Sequence, residues 1–131
     1  MNTSNSHANS AKGRITENIV CQKLRQEGWQ IIARNQHFVG GELDIVARDP
    51  QGTLVFVEVK SSWSPGGGRP QAQVHRKKQV HLWRSAAAWL ARENIPSEQA
   101  MRFDVVSLTR QDNGWDVEHL QNAFEGPSGI Y

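Results

Sequence analysis

Hydrophobic and polar positions along the chain follow two different periods, and the switches between them mark the elements. From Arg14 to Glu27, Val20, Cys21 and Leu24 recur at helical spacing and Gly28 follows as a stop, which predicts a helix. Trp29 to Arg34 reads as a strand and Asn35 to Gly41 as a loop. Glu42 to Arg48 alternates with a period of two, and Thr53 to Lys60 is rich in β-branched residues, so both predict strands. Asp49-Pro50-Gln51-Gly52 between them suits a three-residue hairpin loop: a type I turn with Pro50 at its first corner and Gly52 left-handed. Pro70 to Asn94 predicts a long helix, with Val80, Trp83, Ala87 and Leu90 at helical spacing and Ile95-Pro96 as its stop. Met101 to Leu108 predicts another strand, and Trp115 to Leu120 a weaker one pairing with it as a hairpin. The order α-β-β-β-α-β-β predicts an α/β fold, a mixed central sheet flanked by helices. The connection through the long helix should return a strand parallel, by a right-handed crossover.

The hairpin loop sets a register that pairs Asp49 with Thr53, and therefore Asp44 with Glu58 and Glu42 with Lys60. Directly paired residues share a face. One face is then Leu43, Ile45, Ala47, Val55, Val57 and Val59, all apolar. The other carries Glu42, Asp44, Glu58 and Lys60 at one end, with Val46 and Phe56 nearer the turn. A slip of one residue would destroy this separation. Asp44 and Glu58 should face each other about 5 Å apart between Cβ atoms, and like charges so placed repel unless a cation joins them. Mg²⁺ or Mn²⁺, a hard ion taking one or two carboxylates plus waters and substrate oxygens, fits that role. On an arbitrary hairpin, a solvated face with a Glu42–Lys60 salt bridge is the commoner explanation. Two features favour the metal here: the Glu58-Val59-Lys60 strand is apolar enough to be central, and a third carboxylate, Glu17, shares the stripe of the first helix. Glu17 is either a ligand or a stripe-edge residue reaching solvent or a basic partner, and the helix alone does not decide.

A length of 131 residues is one domain with a proper core, and 37% hydrophobic with 21% charged residues is ordinary globular composition. We expect a flexible tail over residues 1–13, a single domain over 14–120 and a C-terminal tail over 121–131. One cysteine, Cys21, excludes an internal disulfide and fits a reducing compartment. No run approaches the length of a membrane span and no signal peptide is evident, so the expected location is the cytoplasm, without a membrane partner. The net charge of +2 is mild, but His75, Arg76, Lys77, Lys78, His81 and Arg84 cluster in the first half of the long helix. A basic run on a helix is usually a solvated face, but Arg76, Lys77 and Lys78 follow soon after the Glu58–Lys60 strand, so a phosphate-facing role in nucleic-acid binding gains weight. Ser61 to Gly68 is placed as a substrate-gripping loop would be. Trp83 and Trp89 read as core rather than base-stacking platforms. The histidines lack the paired spacing of zinc sites, and Gly66-Gly67-Gly68 lacks the ending of a phosphate loop.

Taken as a set, Glu17, Arg34-Asn35, Gly40-Gly41-Glu42-Leu43-Asp44, Phe56-Val57-Glu58-Val59-Lys60, Lys78 and Arg102-Phe103-Asp104 resemble the YraN family of small bacterial proteins. That family is similar to the archaeal Holliday junction resolvases, within the restriction-endonuclease-like PD-(D/E)xK superfamily. The resemblance runs from about Gly13 to Leu108 and implies a restriction-endonuclease-like core with a metal-dependent nuclease site. It implies that Asp44 and Glu58 bind the metal, that Lys60 is the catalytic lysine, and that Glu17 is the helix carboxylate completing the site. Lys78 matches a recurrent helix lysine suited to phosphate contact. Leu43 stands where the superfamily name has proline, and Ser61-Ser62 where the family commonly has an arginine.

The expected chemistry is hydrolysis of a phosphodiester in structured, branched DNA by a metal-activated water. Asp44, Glu58 and the Val59 backbone carbonyl would ligate Mg²⁺ or Mn²⁺, with Glu17 binding directly or through water. Lys60, beside two acids, should stay protonated until the metal binds and act as an electrostatic partner. Symmetric cutting of a junction needs two copies, which predicts a homodimer. The rival class is a nucleic-acid-binding module of the same fold with little or no catalysis. Paired acids argue against it, because they repel phosphate.

Overall fold

The computed structural model describes residues 3–64 and 74–126, with side chains from residue 11 onward. Helix α1 (Thr3–Gln26) leads into strands β1 (Gln30–Phe38), β2 (Gly41–Arg48) and β3 (Leu54–Ser62). Helix α2 (Arg76–Arg92) then connects to β4 (Met101–Gln111) and β5 (Gly114–Phe124). The five strands form one sheet in the order β1-β2-β3-β4-β5, antiparallel except for the parallel β3–β4 pair that α2 bridges. This is the mixed α/β sheet flanked by helices that the element order predicts.

Each helix covers one face. Val20, Cys21 and Leu24 of α1 pack on Ile45, Ala47, Val55 and Val57. On the opposite face Leu82, Trp83, Ala86 and Trp89 of α2 pack on Val46, Leu54, Phe56 and Phe103. Each fully buried Leu, Val or Ile contributes about 1.5–3 kcal/mol, so this alternation along β2 and β3 is what holds the two layers to the sheet. Trp83 and Trp89 are core, as expected. The buried stripe of α2 is rotated, however, from Val80–Ala87 toward Leu82, Ala86 and Trp89. Gly41 explains how close α2 comes: a Cβ there would stand 2.7 Å from the Ser85 Oγ and 3.3 Å from the His81 carbonyl oxygen.

The helix ends follow the sequence signals. At the end of α1 the Trp29 amide donates to the Leu24 carbonyl, with Gly28 left-handed at φ +90°. At the end of α2 the Ile95 amide donates to the Leu90 carbonyl, with Asn94 left-handed at φ 56°. Several bounds differ from expectation. Helix α1 starts at Thr3, so most of the expected tail is helical: Thr3–Gly13 lacks an apolar stripe but continues a helix already nucleated by the packed turns after it. Strand β1 runs on to Phe38 through residues expected to be loop, because Gln36, His37 and Phe38 pair with Leu43, Glu42 and Gly41. Ser61 and Ser62 extend β3 against Leu108 and Thr109, and β5 continues to Phe124, beyond the expected domain end. Pro70 and the Gly66-Gly67-Gly68 stretch lie outside the described residues, but the helix starts later than expected: Val74 and His75 are not helical, and His75 stands at the N-cap position before Arg76 in an extended conformation at φ −66°, ψ 152°. Among the described residues no helix is long and apolar enough to cross a membrane.

A buried polar brace closes the end of the sheet at the β2–β3 turn. The Asp49 Oδ1 accepts from the Gln51 and Thr53 amides, both at 2.9 Å, and the Asp49 amide bonds the Thr53 carbonyl as the predicted turn requires. Arg102 on β4 donates to Asp49 Oδ2 at 2.6 Å and to Asp104 Oδ1 at 3.0 Å. Asp104, with no exposed surface, also meets His119 Nε2 at 2.8 Å and accepts from the Asn122 amide at 2.9 Å. Burial alone would raise both carboxyls. Hydrogen bonds from Arg102, the Gln51 and Thr53 amides, His119 and Asn122 overcome it and hold both below the ordinary aspartate value. A carboxyl depressed in the folded state stabilises the fold above its unfolded pKa, and that contribution is lost as pH falls through the folded value. Arg102→Met strands two buried charges and should cost about 3–5 kcal/mol in urea denaturation at neutral pH. The gap to the native protein should narrow on acidification below the usual aspartate range. A gap unchanged across that range would mean that the brace is not electrostatic.

Candidate active site

The β2–β3 ladder has the predicted register, with Ile45 opposite Val57 and Arg48 opposite Leu54, and its described pairs stop at Ile45 and Val57. Beyond that point the strands interact differently. The Val59 amide donates at 2.9 Å to the Asp44 Oδ2, so a side chain takes a donor of the β3 backbone. Alternation along β2 breaks at the same place. Leu43 packs in the α2-side cluster, although Ile45 and Ala47 pack on the α1 side. Leu43 therefore leaves the all-apolar face that strict alternation assigned to it, and Asp44 is carried to a cleft between the two helices.

That cleft, of about 730 Å³, is lined by Glu17, Asn35, Glu42, Asp44, Glu58 and Lys78 among others. The register brought Asp44 and Glu58 together and the family resemblance added Glu17, and in the structure all three line this cleft. Burial raises each of them. Asp44 is pushed up to about 6, its bond to the Val59 amide and the Lys78 charge working the other way. Glu58 is pushed up to about 8 by burial and then by Asp44. Glu17 is pushed up to about 7 by burial and then by Asp44, against Arg34 and a hydrogen bond from Asn35. These acids are held where their charged forms repel one another, the opposite of the satisfied Asp49–Asp104 brace.

Glu17 meets a basic partner, as one of its two readings expects, but incompletely. It is 7% exposed and Arg34 Nη2 stands 3.9 Å from its Oε1, yet that oxygen has no hydrogen-bond partner. Arg34 is shared, donating to the Asn18 Oδ1 at 2.7 Å. Asn35, next along β1, is left-handed at φ 52°, a conformation that asparagine tolerates better than most residues. Sequence reading noted Arg34-Asn35 only as part of a motif. Their tie to Glu17 was missed, because β1 was expected to end before the residues that meet the cleft. The pair of His37 Nδ1 and Glu42 Oε2, 3.0 Å apart at the cleft rim, was missed for the same reason.

The basic residues divide. Lys78, in the first turn of α2, reaches the cleft and stands with its Nζ 3.7 Å from the Glu58 Oε1. Arg76 lies instead over the Trp83 ring, 4.5 Å from its centroid, and with Lys77 is exposed on the helix's outer surface. No side chain caps this helix start and no acid sits in its first turn. Lys60 senses the charges of Glu58 and Lys78. Burial lowers its pKa, and Lys78 adds to this against Glu58, so the ammonium is displaced downward and not held up by the acids.

The donor set fits a hard, partly hydrated cation. Asp44 and Glu58 are oxygen donors whose mutual repulsion a divalent ion would relieve, and the Glu17 Oε1 is a buried acceptor with nothing to accept. It does not fit a closed cage: among the described residues no three His, Cys, Asp or Glu side chains cluster tightly enough to enclose an ion. Two carboxylates with waters and a phosphate oxygen is the arrangement Mg²⁺ favours.

Known proteins are similar to this chain over the span that contains the cleft residues. The model of the uncharacterised protein family UPF0102 matches residues 16–108, a span holding Glu17, Asp44, Glu58, Lys60 and Lys78. The UPF0102 protein of Pelobacter propionicus is 43% identical over 119 residues, covering 89% of this chain and 84% of its own. The one from Geobacter sulfurreducens is 42% identical over 121 residues, covering 92% and 93%. The one from Trichlorobacter lovleyi is 39% identical over 118 residues, covering 89% and 92%. Among solved structures, Pyrococcus furiosus SfsA in complex with Ca²⁺ is similar at 17% identity and a TM-score of 0.39. That match takes in 88% of this chain but 64% of the longer SfsA chain. With relatives of this closeness along nearly its full length, the chain belongs to the uncharacterised protein family UPF0102, the YraN family that its motifs resemble.

Proposed function

We propose that the protein is a metal-dependent endonuclease that hydrolyses phosphodiester bonds in structured, including branched, DNA. The observation that carries this reading is that Asp44, Glu58 and Glu17 line one cleft, all raised, with Lys78 beside Glu58. A fold keeps unsatisfied like charges in a cleft when a ligand completes them. Asp44, Glu58 and the Val59 carbonyl would hold Mg²⁺ or Mn²⁺, with Glu17 reaching it through water. When bound, such an ion neutralises charge on a phosphate oxygen and lowers the pKa of its water.

The chain's own groups divide the remaining work. Val59 fixes the Asp44 carboxylate through its amide, so one acid is preorientated before anything binds. Lys78, paired with Glu58 in the free protein, turns to a phosphate oxygen once that carboxylate is engaged elsewhere. Lys60, two residues after Glu58, stands to orient the attacking water or stabilise charge developing on the phosphorus centre. Arg76, Lys77 and the uncapped amides of the first turn of α2 offer sites for the flanking phosphates. None of these groups reads base edges, so recognition follows the shape of the nucleic acid. Two copies acting together as a homodimer would cut a junction symmetrically.

Two outcomes test this. Labelled junction, flap, single-stranded and duplex DNA should be cut only with Mg²⁺ or Mn²⁺, and Glu58→Gln or Lys60→Ala should lower the rate by about 10²–10³-fold. Binding by both native and variant proteins without cutting by either would replace the enzyme with a binding module.

The second outcome concerns stability. Glu17 and Glu58, raised to about 7 and about 8, keep protons in the folded state that the unfolded chain has already lost. Metal-free protein should therefore lose stability as pH rises from about 5 to about 8. Mg²⁺ should restore it most at the upper end, where its ligands are ionised. Glu58→Gln should flatten the metal-free profile and melt higher than native protein at about pH 8. A melting temperature indifferent to both pH and Mg²⁺ would rule out the acid cluster as a cation site.

A further inference from the structure

A second cluster lies beside the cleft, and the hydrolytic reading leaves it without a task. Trp63 follows the end of β3, and Trp115 lies near the start of β5. Their rings meet edge to face, with centroids 4.9 Å apart and planes at 82°. A cation stands over each: Lys12 Nζ is 5.4 Å from the Trp63 centroid and the Arg110 guanidinium 5.4 Å from that of Trp115. Trp115 packs at the margin of the α1-side core, whereas Trp63 is in neither core cluster of the described residues. Both tryptophans are partly buried, and the Trp63 indole nitrogen is buried without a hydrogen-bond partner. The group is continuous with the cleft, because Lys12 adjoins Gly13 and Arg14 on α1, Trp63 is two residues past Ser61, and Gly13, Arg14 and Ser61 all line the cleft wall. Asp116, next to Trp115, points to the other face of β5, since Trp115 and Val117 share the α1-side cluster.

We propose that Trp63 and Trp115, with Lys12 and Arg110, form a platform that holds an unpaired DNA strand running into the cleft. The indole face that Lys12 or Arg110 covers becomes available to an unpaired base when that cation turns to a phosphate of the same strand, and such stacking ignores sequence. The cations beside them, continued by Arg14, complement the phosphates of the same strand. Duplex bases are already stacked on each other and cannot use such faces, so the platform selects substrates with a single-stranded arm at the cutting site. Structure-directed recognition then comes from this corner and not from the exposed basic turn of α2. The proposal rests on the nuclease reading for the strand's destination, but its binding step is separable from cleavage.

The test is fluorescence anisotropy of a labelled oligothymidylate and a blunt duplex of equal length, with EDTA present so that no cutting occurs. Native protein should prefer the single strand and Trp63→Ala should weaken that binding about tenfold, leaving duplex binding within about twofold. Trp63→Phe should recover most of the loss, and Lys12→Gln should reduce the salt slope on the single strand by about 0.7. Equal single-strand binding by native protein and Trp63→Ala overturns the proposal. So does equal loss on both ligands, or no binding of oligothymidylate by native protein. Metal-dependent cutting that survives unchanged binding in Trp63→Ala sinks the platform and leaves the nuclease. Trp63-dependent binding without cutting by any variant does the reverse.

Discussion

The hydrogen bond from the Val59 amide to the Asp44 carboxylate is the contact on which the site depends. Regular pairing at this point would satisfy the strands with backbone partners alone and continue the alternation that puts Leu43 with Ile45. Instead a side-chain oxygen takes a main-chain donor, the described β2–β3 pairs stop at Ile45 and Val57, and Leu43 joins the α2-side core. One acid is thereby locked to the strand that carries the other. The bond also limits how far Asp44 can relax away from Glu58, so the repulsion between them is built in and is not an accident of rotamers.

The molecule treats its buried acids in two opposite ways, and the contrast sets the cleft apart from the brace. At the turn end, Asp49 and Asp104 share Arg102, and His119 and three backbone amides complete the set. Both acids fall below their ordinary pKa, which makes them a source of stability. At the cleft end, Asp44, Glu58 and Glu17 have too few partners and rise above theirs. Lys78 and Arg34 each stand near one acid at 3.7 and 3.9 Å, long for a tight ion pair and loose enough to be given up. The fold is thus braced with charge at one end and left short of positive charge at the other. The proposed cation site needs this division, because a fully satisfied cleft would have nothing to offer an ion.

Much of this was legible in the chain. The hairpin register followed from Pro50 and Gly52 in the turn together with one all-apolar face, since turn geometry and burial constrain the same pairing. The order of elements came from the two hydrophobic periods and the parallel return from the crossover through α2, while the register foresaw an Asp44–Glu58 pair that the structure realises only as two acids lining one cleft. What was not legible depended on contacts distant in sequence. The helical start of α1 at Thr3 has no apolar periodicity to announce it. The extension of β1 to Phe38 depends on pairing with Gly41 to Leu43, and with it went Asn35, His37 and the partners of Glu17. The downward displacement of Lys60 was also out of reach: neighbouring acids are visible in a sequence, whereas burial and a second lysine arriving from α2 are not.

Helix α2 ties these parts together. Gly41 at the start of β2 lets the helix approach until Ser85 and His81 crowd the place of a missing Cβ. That closeness sets the height of the helix's first turn above the sheet, and Lys78 reaches Glu58 from there. The same turn carries three basic residues at the end of the helix where its dipole is positive, with neither an acid nor a side-chain cap to offset them. Such an arrangement costs stability in the free protein and is relieved by an anion. Cleft and helix are therefore complementary in their deficits: the strands are short of a cation and the helix of an anion. A divalent ion carrying a phosphodiester supplies both at once, and no ligand of a single charge sign does.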